Sequence, residues 1–279
     1  MAIDDVDAAP AELRPDWLRI DLSVSLRSQR HDQADDLGWE RWYARIFAGW
    51  DVYDDPDRGA EIAASLDRIF PTASSRADLG ECMDDLEVEV GGCELMLLRF
   101  DLPHPAFGED VRVPSTGLSI FEAADALSQD LADLVGPIVD LEGESPFVDQ
   151  VVDAAEDGWY DDLLIVRSVG IDKHFRGMGI GGWAVARVIN RLAAATTLVA
   201  LTAAPLNRSE FLRDQGADPD SRADLTPEQS LAWDAACGRI AANWQRHLGV
   251  EALHGHPHTL FTAGGDSVAL AATLASWRG

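Results

Sequence analysis

The chain has 279 residues, of which 47% are hydrophobic and 25% are charged, as expected of a globular protein with a sizeable core. Its 49 acidic and 22 basic residues give a formal net charge of -27, which argues against a surface that binds nucleic acid or anionic membranes. No apolar run approaches the roughly 20 residues that a bilayer requires, and the acidic N-terminus is unlike a signal peptide. We therefore expect a cytoplasmic protein without a membrane partner.

The distribution of charge is more informative than its total. Between Leu163 and Arg213, seven basic residues accompany two acidic ones, so this segment carries +5 and the remainder of the chain -32. A basic segment inside an acidic chain marks a place where an anion could be held.

The N-terminal third predicts a flexible leader, a strand and two helices. Residues 1–15 are rich in Pro, Asp and Glu and predict an acidic flexible leader. LRIDLSVSL at 18–26 alternates like a strand, whereas GWERWYARIFAGW at 38–50 and PDRGAEIAASLDRIF at 56–70 carry helical spacing. DLEVEV and CELMLLRFDL flank a glycine pair, which predicts a hairpin over 85–102 with its turn at Gly91-Gly92.

A predicted helix follows the Pro- and Gly-rich loop at 103–117. Its apolar residues recur at helical intervals, and Ser119 is the expected N-cap. The apolar set is Phe121, Ala124, Leu127, Leu131 and Leu134.

The central part of the chain predicts a strand-loop-helix-strand unit. LLIVRSVGI at 163–171 is nearly free of charge, as in a strand buried on both faces. A helix that opens near Gly179 has Val185, Val188, Ile189 and Leu192 on one side, and TLVALTAAP at 197–205 forms the next strand. Thr226-Pro227 then opens a long helix that stops at Gly249, followed by the strand HTLFTA and a terminal segment at 267–277.

Residues 172–182, DKHFRGMGIGG, place four glycines and three potentially cationic side chains between this strand and helix. Such a turn aims several backbone N–H groups and the positive end of a helix dipole at one point, and glycines let a phosphate approach closely. The alternative interpretation is a flexible turn without a ligand. The Walker spacing GxxxxGK[ST] is absent, and the spacing GxGxxG lacks the acid expected about 20 residues later.

RGMGIG at 176–181 resembles the (Q/R)xxGx(G/A) signature of the GNAT N-acetyltransferase superfamily, with Arg176, Gly179 and Gly181 on the defined positions. NWQRHLGVEAL is similar to the family's second element, a helix ending in a "YxxLGF"-like run. The resemblance covers 163–203 best and 238–263 less closely. It implies an α/β fold with a GNAT-like mixed central sheet flanked by helices, with helical insertions at 119–134 and 206–226.

The resemblance also implies a domain organisation and a cofactor. Residues 16–279 would form a single acyltransferase domain, with 16–80 as a variable N-terminal lobe and a coenzyme A-binding core at about 85–263. Acetyl-CoA or another acyl-CoA would be the cosubstrate, with its pyrophosphate on the loop amides and its pantetheine arm along the central strand. The implied cofactor-binding residues are Ser168, Val169, Gly170, Ile171, Lys173, Arg176, Gly177, Met178, Gly179, Ile180, Gly181, Gly182 and Asn207.

The implied reaction is direct transfer of the acyl group to an amine of a small molecule or protein, which needs a proton acceptor and a proton donor. The family's strand glutamate corresponds to Leu163, so the nearby Asp162 is the candidate base. The family's tyrosine acid corresponds to Gln245, which cannot donate a proton as tyrosine does. A catalytically degenerate coenzyme A-binding or regulatory protein therefore remains the alternative, and a module whose glycine turn is only structural is the third.

The sequence also allows predictions about metal binding, cysteines and partners. His254, His256 and His258 in HGHPH lack a carboxylate partner and read as a solvated turn, so no metal is expected. Cys82, Cys93 and Cys237 lack CxxC spacing and read as buried thiols. The expected partners are acyl-CoA and an amine acceptor, with a cationic one favoured by the acidic surface, and the protein would be a monomer or homodimer.

Overall fold

The computed structural model describes residues 18–25, 38–49, 87–99, 116–143, 145–155, 160–172, 175–205, 211–213, 225–264 and 267–276. Seven strands form one mixed sheet with the spatial order β1-β2-β3-β4-β5-β7-β6. Neighbouring strands are antiparallel except for β4 and β5, which run parallel. The strands are β1 (Leu18–Ser25), β2 (Gly38–Gly49), β3 (Glu87–Arg99), β4 (Asp162–Ile171), β5 (Thr197–Thr202), β6 (Glu251–Leu253) and β7 (His256–Ala263).

Helices cover both faces of the sheet, as the sequence predicts for an α/β fold with a mixed central sheet. Three helices form an apolar core with one face, namely α1 (Gly117–Leu127), α2 (Gln129–Val135) and α3 (Asp149–Asp153). Three others form a second core with the opposite face, namely α4 (Ile180–Leu192), α5 (Pro227–Leu248) and α6 (Val268–Ser276). β4 contributes Leu163 and Ile165 to the first core and Leu164 and Val166 to the second, because side chains alternate along a strand.

The predicted β4-loop-α4-β5 unit is confirmed, as are β1 and the helix from Pro227 to Leu248. The side chain of Thr226 caps α5 in a reciprocal pair with Gln229, and Gly249 ends it in the left-handed conformation with a φ of 71°. The buried thiols are confirmed for Cys93 and Cys237. Burial raises the pKa of Cys93 to about 12.

The predicted hairpin over 85–102 is wrong, because Gly91 and Gly92 lie inside the single strand β3. A Cβ at Gly92 would stand 2.8 Å from the carbonyl oxygen of Ala44, and one at Gly91 would collide with the carbonyl oxygen of Gly170. The glycine pair therefore permits close approach to strands on both sides and makes no turn.

The helix predicted at 38–50 is also wrong, because Gly38–Gly49 form β2. Ala44 and Ile46 are buried, while Arg41 and Arg45 alternate with them and lie over the rings of Tyr43 and Phe47. Aromatic and β-branched residues favour a pleated, half-buried surface, and pairing on both sides with β1 and β3 overrides the helical spacing.

The helix predicted from Leu118 onward is divided at Ser128, whose extended backbone ends α1 and whose side chain caps α2. The N-cap of α1 is Thr116, not Ser119; Ser119 is its capping-box partner three residues later. The leader at 1–15 and the helix at 56–70 lie outside the described residues.

Leu164→Ala should lower the free energy of unfolding by about 2–5 kcal/mol, because Leu164 is fully buried between the sheet and the α4–α6 layer. Urea denaturation measures the change. The control is Leu231→Ala on α5, where the side chain is 71% exposed and about 0.5 kcal/mol or less is expected. Equal losses in the two variants would contradict this core assignment.

Candidate functional site

The parallel strands β4 and β5 separate halfway along β4. Their pairing extends from Asp162 opposite Thr197 to Val166 opposite Leu201, after which β4 continues to Ile171 without β5 as a neighbour. The separation coincides with a register shift between β3 and β4: Leu95 lies opposite Val166, but Glu94 lies opposite Ser168. Arg167 is thus an extra residue in β4, and such a bulge bends a strand and increases its twist.

A cleft of about 750 Å³ fills the space between the separated strands. One wall is the second half of β4 from Val166 to Ile171, and the other begins at Leu201 and Thr202 of β5. The glycine loop and the first turn of α4 close one end, and α5 covers the top with residues that share one helix face. These are Ala236, Arg239, Ile240, Asn243, Trp244 and His247, with Arg246 beside them.

The loop backbone adopts two left-handed conformations that favour glycine. Gly177 has a φ of 82° and Gly179 a φ of 77°. The buried ring of Phe175 anchors the start of the loop, and its amide donates to the carbonyl oxygen of Asp172 at 2.9 Å. Arg176 Nε donates to the carbonyl oxygen of Ile171 at 3.0 Å, which ties the loop to the end of β4. The turn is therefore held in place by hydrogen bonds and packing.

The N-terminus of α4 lacks the side-chain cap that α1, α2 and α5 have. Its N-cap is Gly179, so no side chain accepts from the first amides of the helix. The first bond within the helix joins the amide of Trp183 to the carbonyl oxygen of Gly179. The amides of Ile180, Gly181 and Gly182 precede that bond and have no partner inside the helix. Unpaired amides at the start of a helix favour negative charge beside them.

Charge in the cleft is opposite in sign to the charge of the protein. The described lining residues include four arginines, of which one lies in β4, one in the loop and two in α5. No Asp or Glu is among these described residues. Arg167 is oriented by Glu94 of β3, whose Oε1 accepts from Arg167 at 2.7 Å and from Arg41 Nε at 2.6 Å. The other three arginines are Arg176, Arg239 and Arg246.

His247 lines the cleft between α4, α5 and α6. Its ring packs on Gly182, where a Cβ would stand 2.6 Å from Cγ and 2.7 Å from Cδ2 of the imidazole. Nδ1 lies 3.3 Å from Thr273 Oγ1, and that hydroxyl donates to the carbonyl oxygen of His247 at 2.9 Å. Burial lowers the pKa of His247 below its ordinary value, and the guanidinium of Arg246 lowers it further.

Most of the predicted cofactor residues lie together around this cleft. Ten of the thirteen predicted residues line it, namely Ser168, Val169, Gly170, Ile171, Arg176, Gly177, Gly179, Ile180, Gly181 and Gly182. Met178 belongs to the loop but does not line the cleft. Lys173 and Asn207 lie outside the described residues.

The two predicted catalytic residues lie elsewhere. Asp162 stands at the start of β4, where the two strands are still paired, and its Oδ2 is 3.5 Å from Arg99 NH1. Gln245 is exposed and does not line the cleft, although Trp244 and Arg246 on either side of it do. The structure therefore does not bring Asp162 or Gln245 to the glycine loop.

The family motif aligns with Gln245 and gives no reason to select His247. The helical spacing itself carried the signal: Ala236, Ile240, Asn243 and His247 recur at intervals of three and four. His254, His256 and His258 lie in the β6–β7 hairpin, where His258 Nε2 is 3.6 Å from Asp234 Oδ1. Within the described ranges, no three His, Cys, Asp or Glu side chains come together as a metal site.

No family model, curated protein or solved structure matches this chain. The resemblance to the acetyltransferases therefore rests on the residues of the loop and their setting. Of the helices that the structure describes, none is long and apolar enough to cross a membrane.

Gly182→Ala should lower stability by about 1–3 kcal/mol, because the new Cβ must displace the ring of His247. The matched control is Gly238→Ala in α5, where nothing lies within 4 Å of the added methyl group. That control should gain about 0.5–1 kcal/mol from helix propensity alone. Thermal and urea unfolding measure both changes, and a gain in Gly182→Ala equal to the control's would contradict the packing of His247 on α4.

Proposed function

We propose that the chain is an acyl-CoA-dependent N-acyltransferase with a GNAT-like fold, which transfers an acyl group directly to an amine. The observation that carries the proposal is the cleft between the separated ends of β4 and β5, with an uncapped, glycine-rich helix N-terminus at one end and four arginines among its described lining residues. Acyl-CoA has the matching features: a pyrophosphate, a further phosphate and an extended arm with amide groups.

The edge of β4 suits an extended ligand with amides. From Arg167 to Ile171 this edge has lost β5, so its peptide groups on that side face the cleft. Unpaired backbone groups at a strand edge bind an extended chain by main-chain hydrogen bonds, as in strand addition. The pantetheine arm would occupy this edge, and the backbone around Ser168 and Val169 would polarise the thioester carbonyl.

The glycine loop suits the pyrophosphate. The amides of Gly181 and Gly182 and the dipole of α4 favour negative charge, and Gly177 and Gly179 keep side chains away from the approach. Charge-assisted bonds from arginines such as Arg176 are stronger than bonds between neutral groups. The cleft offers this charge although the whole protein carries -27.

The exposed position of Gln245 and the distance of Asp162 from the loop end of β4 favour one further candidate, a coenzyme A-binding protein without turnover. Calorimetry with acetyl-CoA tests both functions, since both require binding. A dissociation constant of about 1 mM corresponds to a binding free energy of only about 4 kcal/mol. Absence of binding heat at about 1 mM acetyl-CoA would therefore eliminate both functions. Thiol release with a panel of primary amines, cationic ones included, then separates the two, because only the enzyme exceeds the rate of acetyl-CoA hydrolysis without amine.

Gly181→Asp should weaken acetyl-CoA binding at least about tenfold more than Gly181→Asn, a difference of about 1.4 kcal/mol. A Cβ at this position would stand 3.4 Å from Ile171 Cγ1 and 3.7 Å from Val169 Cγ1, which are ordinary contact distances for the Cβ that Asp and Asn share. The two side chains have nearly the same shape and differ in charge and in the N–H donors of Asn. An acid in the first turn by itself stabilises a helix by about 0.3–1 kcal/mol, so a loss of affinity in Gly181→Asp would not come from a weaker helix. Equal affinities of the correctly folded variants, measured by calorimetry, would show that no phosphate lies at this helix end.

A further inference from the structure

Arg167 and Ser168 point to the face of the sheet opposite to α4 and α5. Glu94 alternates along β3 with Cys93 and Leu95, which pack on the α4–α6 side, so its side chain points to the α1–α3 side. Ser168 lies directly opposite Glu94 in the register, and directly paired residues share a face. The hydrogen bond of 2.7 Å from Arg167 NH1 to Glu94 Oε1 places the guanidinium on that face as well.

The cleft therefore extends through the sheet. α4 and α5 line it from one side, Arg167 belongs to the other side, and the gap between β4 and β5 connects the two. An acyl-CoA with its pyrophosphate at the start of α4 and its thioester at Ser168 would enter this gap from the side of α4 and α5. Because the pantetheine arm would fill that side, the amine would reach the thioester from the side of Arg167.

The guanidinium of Arg167 lies close to the position that the proposed function gives to the thioester. Arg167 directly precedes Ser168, and consecutive Cα atoms are about 3.8 Å apart. Glu94, which binds the guanidinium, lies opposite Ser168 on the adjacent strand, about 4.7–4.9 Å away from β4. The guanidinium is thus held at the level of Ser168. A group joined to the attacking amine by a few bonds would contact it.

The ion pairs at Glu94 leave an excess of positive charge. Arg41 already contacts Glu94 Oε1 through both Nε and NH2, each at 2.6 Å. Arg167 adds a second guanidinium to the same carboxylate, so the three groups together carry a formal charge of +1. Neutralisation of Glu94 therefore does not require Arg167.

This excess charge suits a carboxylate. Only 24% of the Arg167 side chain is exposed, and a partly buried charge costs free energy unless an opposite charge meets it. A guanidinium has five N–H donors, and among the described residues Glu94 alone accepts from Arg167. A carboxylate fits the guanidinium fork with two parallel bonds and would bring the formal charge of the group to zero. A phosphate, with a charge of about -1.5 to -2, would exceed it.

We propose that Arg167 binds a carboxylate of the acceptor, so that the substrate is an amine that also carries a carboxylate, as an amino acid does; the inference rests on the proposed acyltransferase function. The amine forms a C–N bond with the thioester carbonyl carbon, and the C–S bond breaks. Of the two protons that the ammonium loses, one goes to the leaving thiolate and the other to solvent. The net charge of -27 favours a cationic acceptor, but screening limits that effect at the cleft, where contacts with Arg167 select the substrate.

Matched acceptors test the substrate class. Thiol release from acetyl-CoA is measured with a panel of amino acids and with the carboxamides of the same amino acids. kcat/KM should be at least about tenfold higher for the acids, a difference of about 1.4 kcal/mol. An α-amino group beside an amide has a pKa of about 7.7–8.0 and is more often neutral, so basicity favours the carboxamides and does not explain the expected preference.

Three results with these acceptors would overturn the proposal. The first is an equal or higher kcat/KM for the carboxamides. The second is a preference for aminoalkyl phosphates over the amino acids, and the third is a preference for diamines.

Arg167→Gln tests the residue. Loss of the guanidinium should lower kcat/KM for the amino acids about tenfold or more, mainly through KM, and change the carboxamides little. Arg45→Gln is the matched control, because Arg45 also pairs with a glutamate of β3, Glu89, but does not line the cleft. The control should keep the preference for amino acids. An unchanged preference in Arg167→Gln would refute the role of Arg167.

Arg167→Lys keeps the test decisive if the glutamine variant does not fold. Lysine retains the charge beside Glu94 but lacks the planar fork. This variant should bind acetyl-CoA like wild type in calorimetry and should have a higher KM for amino acids alone. Equal losses of kcat/KM for amino acids and carboxamides would show that Arg167 acts on the sheet and not on the substrate.

The two proposals fail differently. A wild-type protein that does not bind acetyl-CoA disproves the proposed function. One that binds acetyl-CoA but releases no thiol with any amine above the rate of hydrolysis disproves transfer together with its acceptor, and supports the binding protein. Transfer without a preference for carboxylates disproves recognition by Arg167 and leaves the acyltransferase proposal intact.

Discussion

The register shift at Arg167 is the feature on which the rest of the site depends. A parallel ladder that continued beyond Val166 and Leu201 would pair the peptide groups of β4 with β5 and leave no space between them. One extra residue bends β4 away and also exchanges the faces of its side chains. Val169 thereby packs with the same core as Val166, although the two are three residues apart. The cleft is thus a consequence of local strand geometry, and the glycine loop and helix α5 close the space that this geometry opens.

Electrostatics in the cleft must act at short range. The net charge of -27 repels an anion at a distance, whereas the arginines of the cleft attract it once it is near. At physiological ionic strength the Debye length is about 8 Å, so the surrounding acidic surface is largely screened while contacts inside the cleft are not. Glu94 of β3 accepts hydrogen bonds from both Arg41 and Arg167 and thereby orients one of the lining guanidinium groups. Glu94 itself does not line the cleft.

Predictions succeeded where the signals lay within about fifteen residues of chain. β4, α4, β5 and the two ends of α5 followed from apolar runs, helical spacing and caps. They failed where a strand partner distant in sequence decided the outcome. The aromatic run of β2 becomes a strand between β1 and β3, and Gly91-Gly92 stays extended because Ala44 and Gly170 pack against it. The spacing of apolar residues along a short segment does not show which distant strands will pair with it. Only the tertiary structure shows these partners.

The amino-acid sequence by itself determined the glycine loop at the start of α4, because its glycines, Arg176 and the first turn of the helix are adjacent in the chain and the loop's shape depends on local backbone conformation. Only the tertiary structure decided which other residues share the cleft. α5 lies some 60 residues later, and one step along a helix rotates a side chain by about 100°. That rotation leaves Gln245 outside the cleft and brings His247 onto Gly182, where Thr273 of α6 completes the contact.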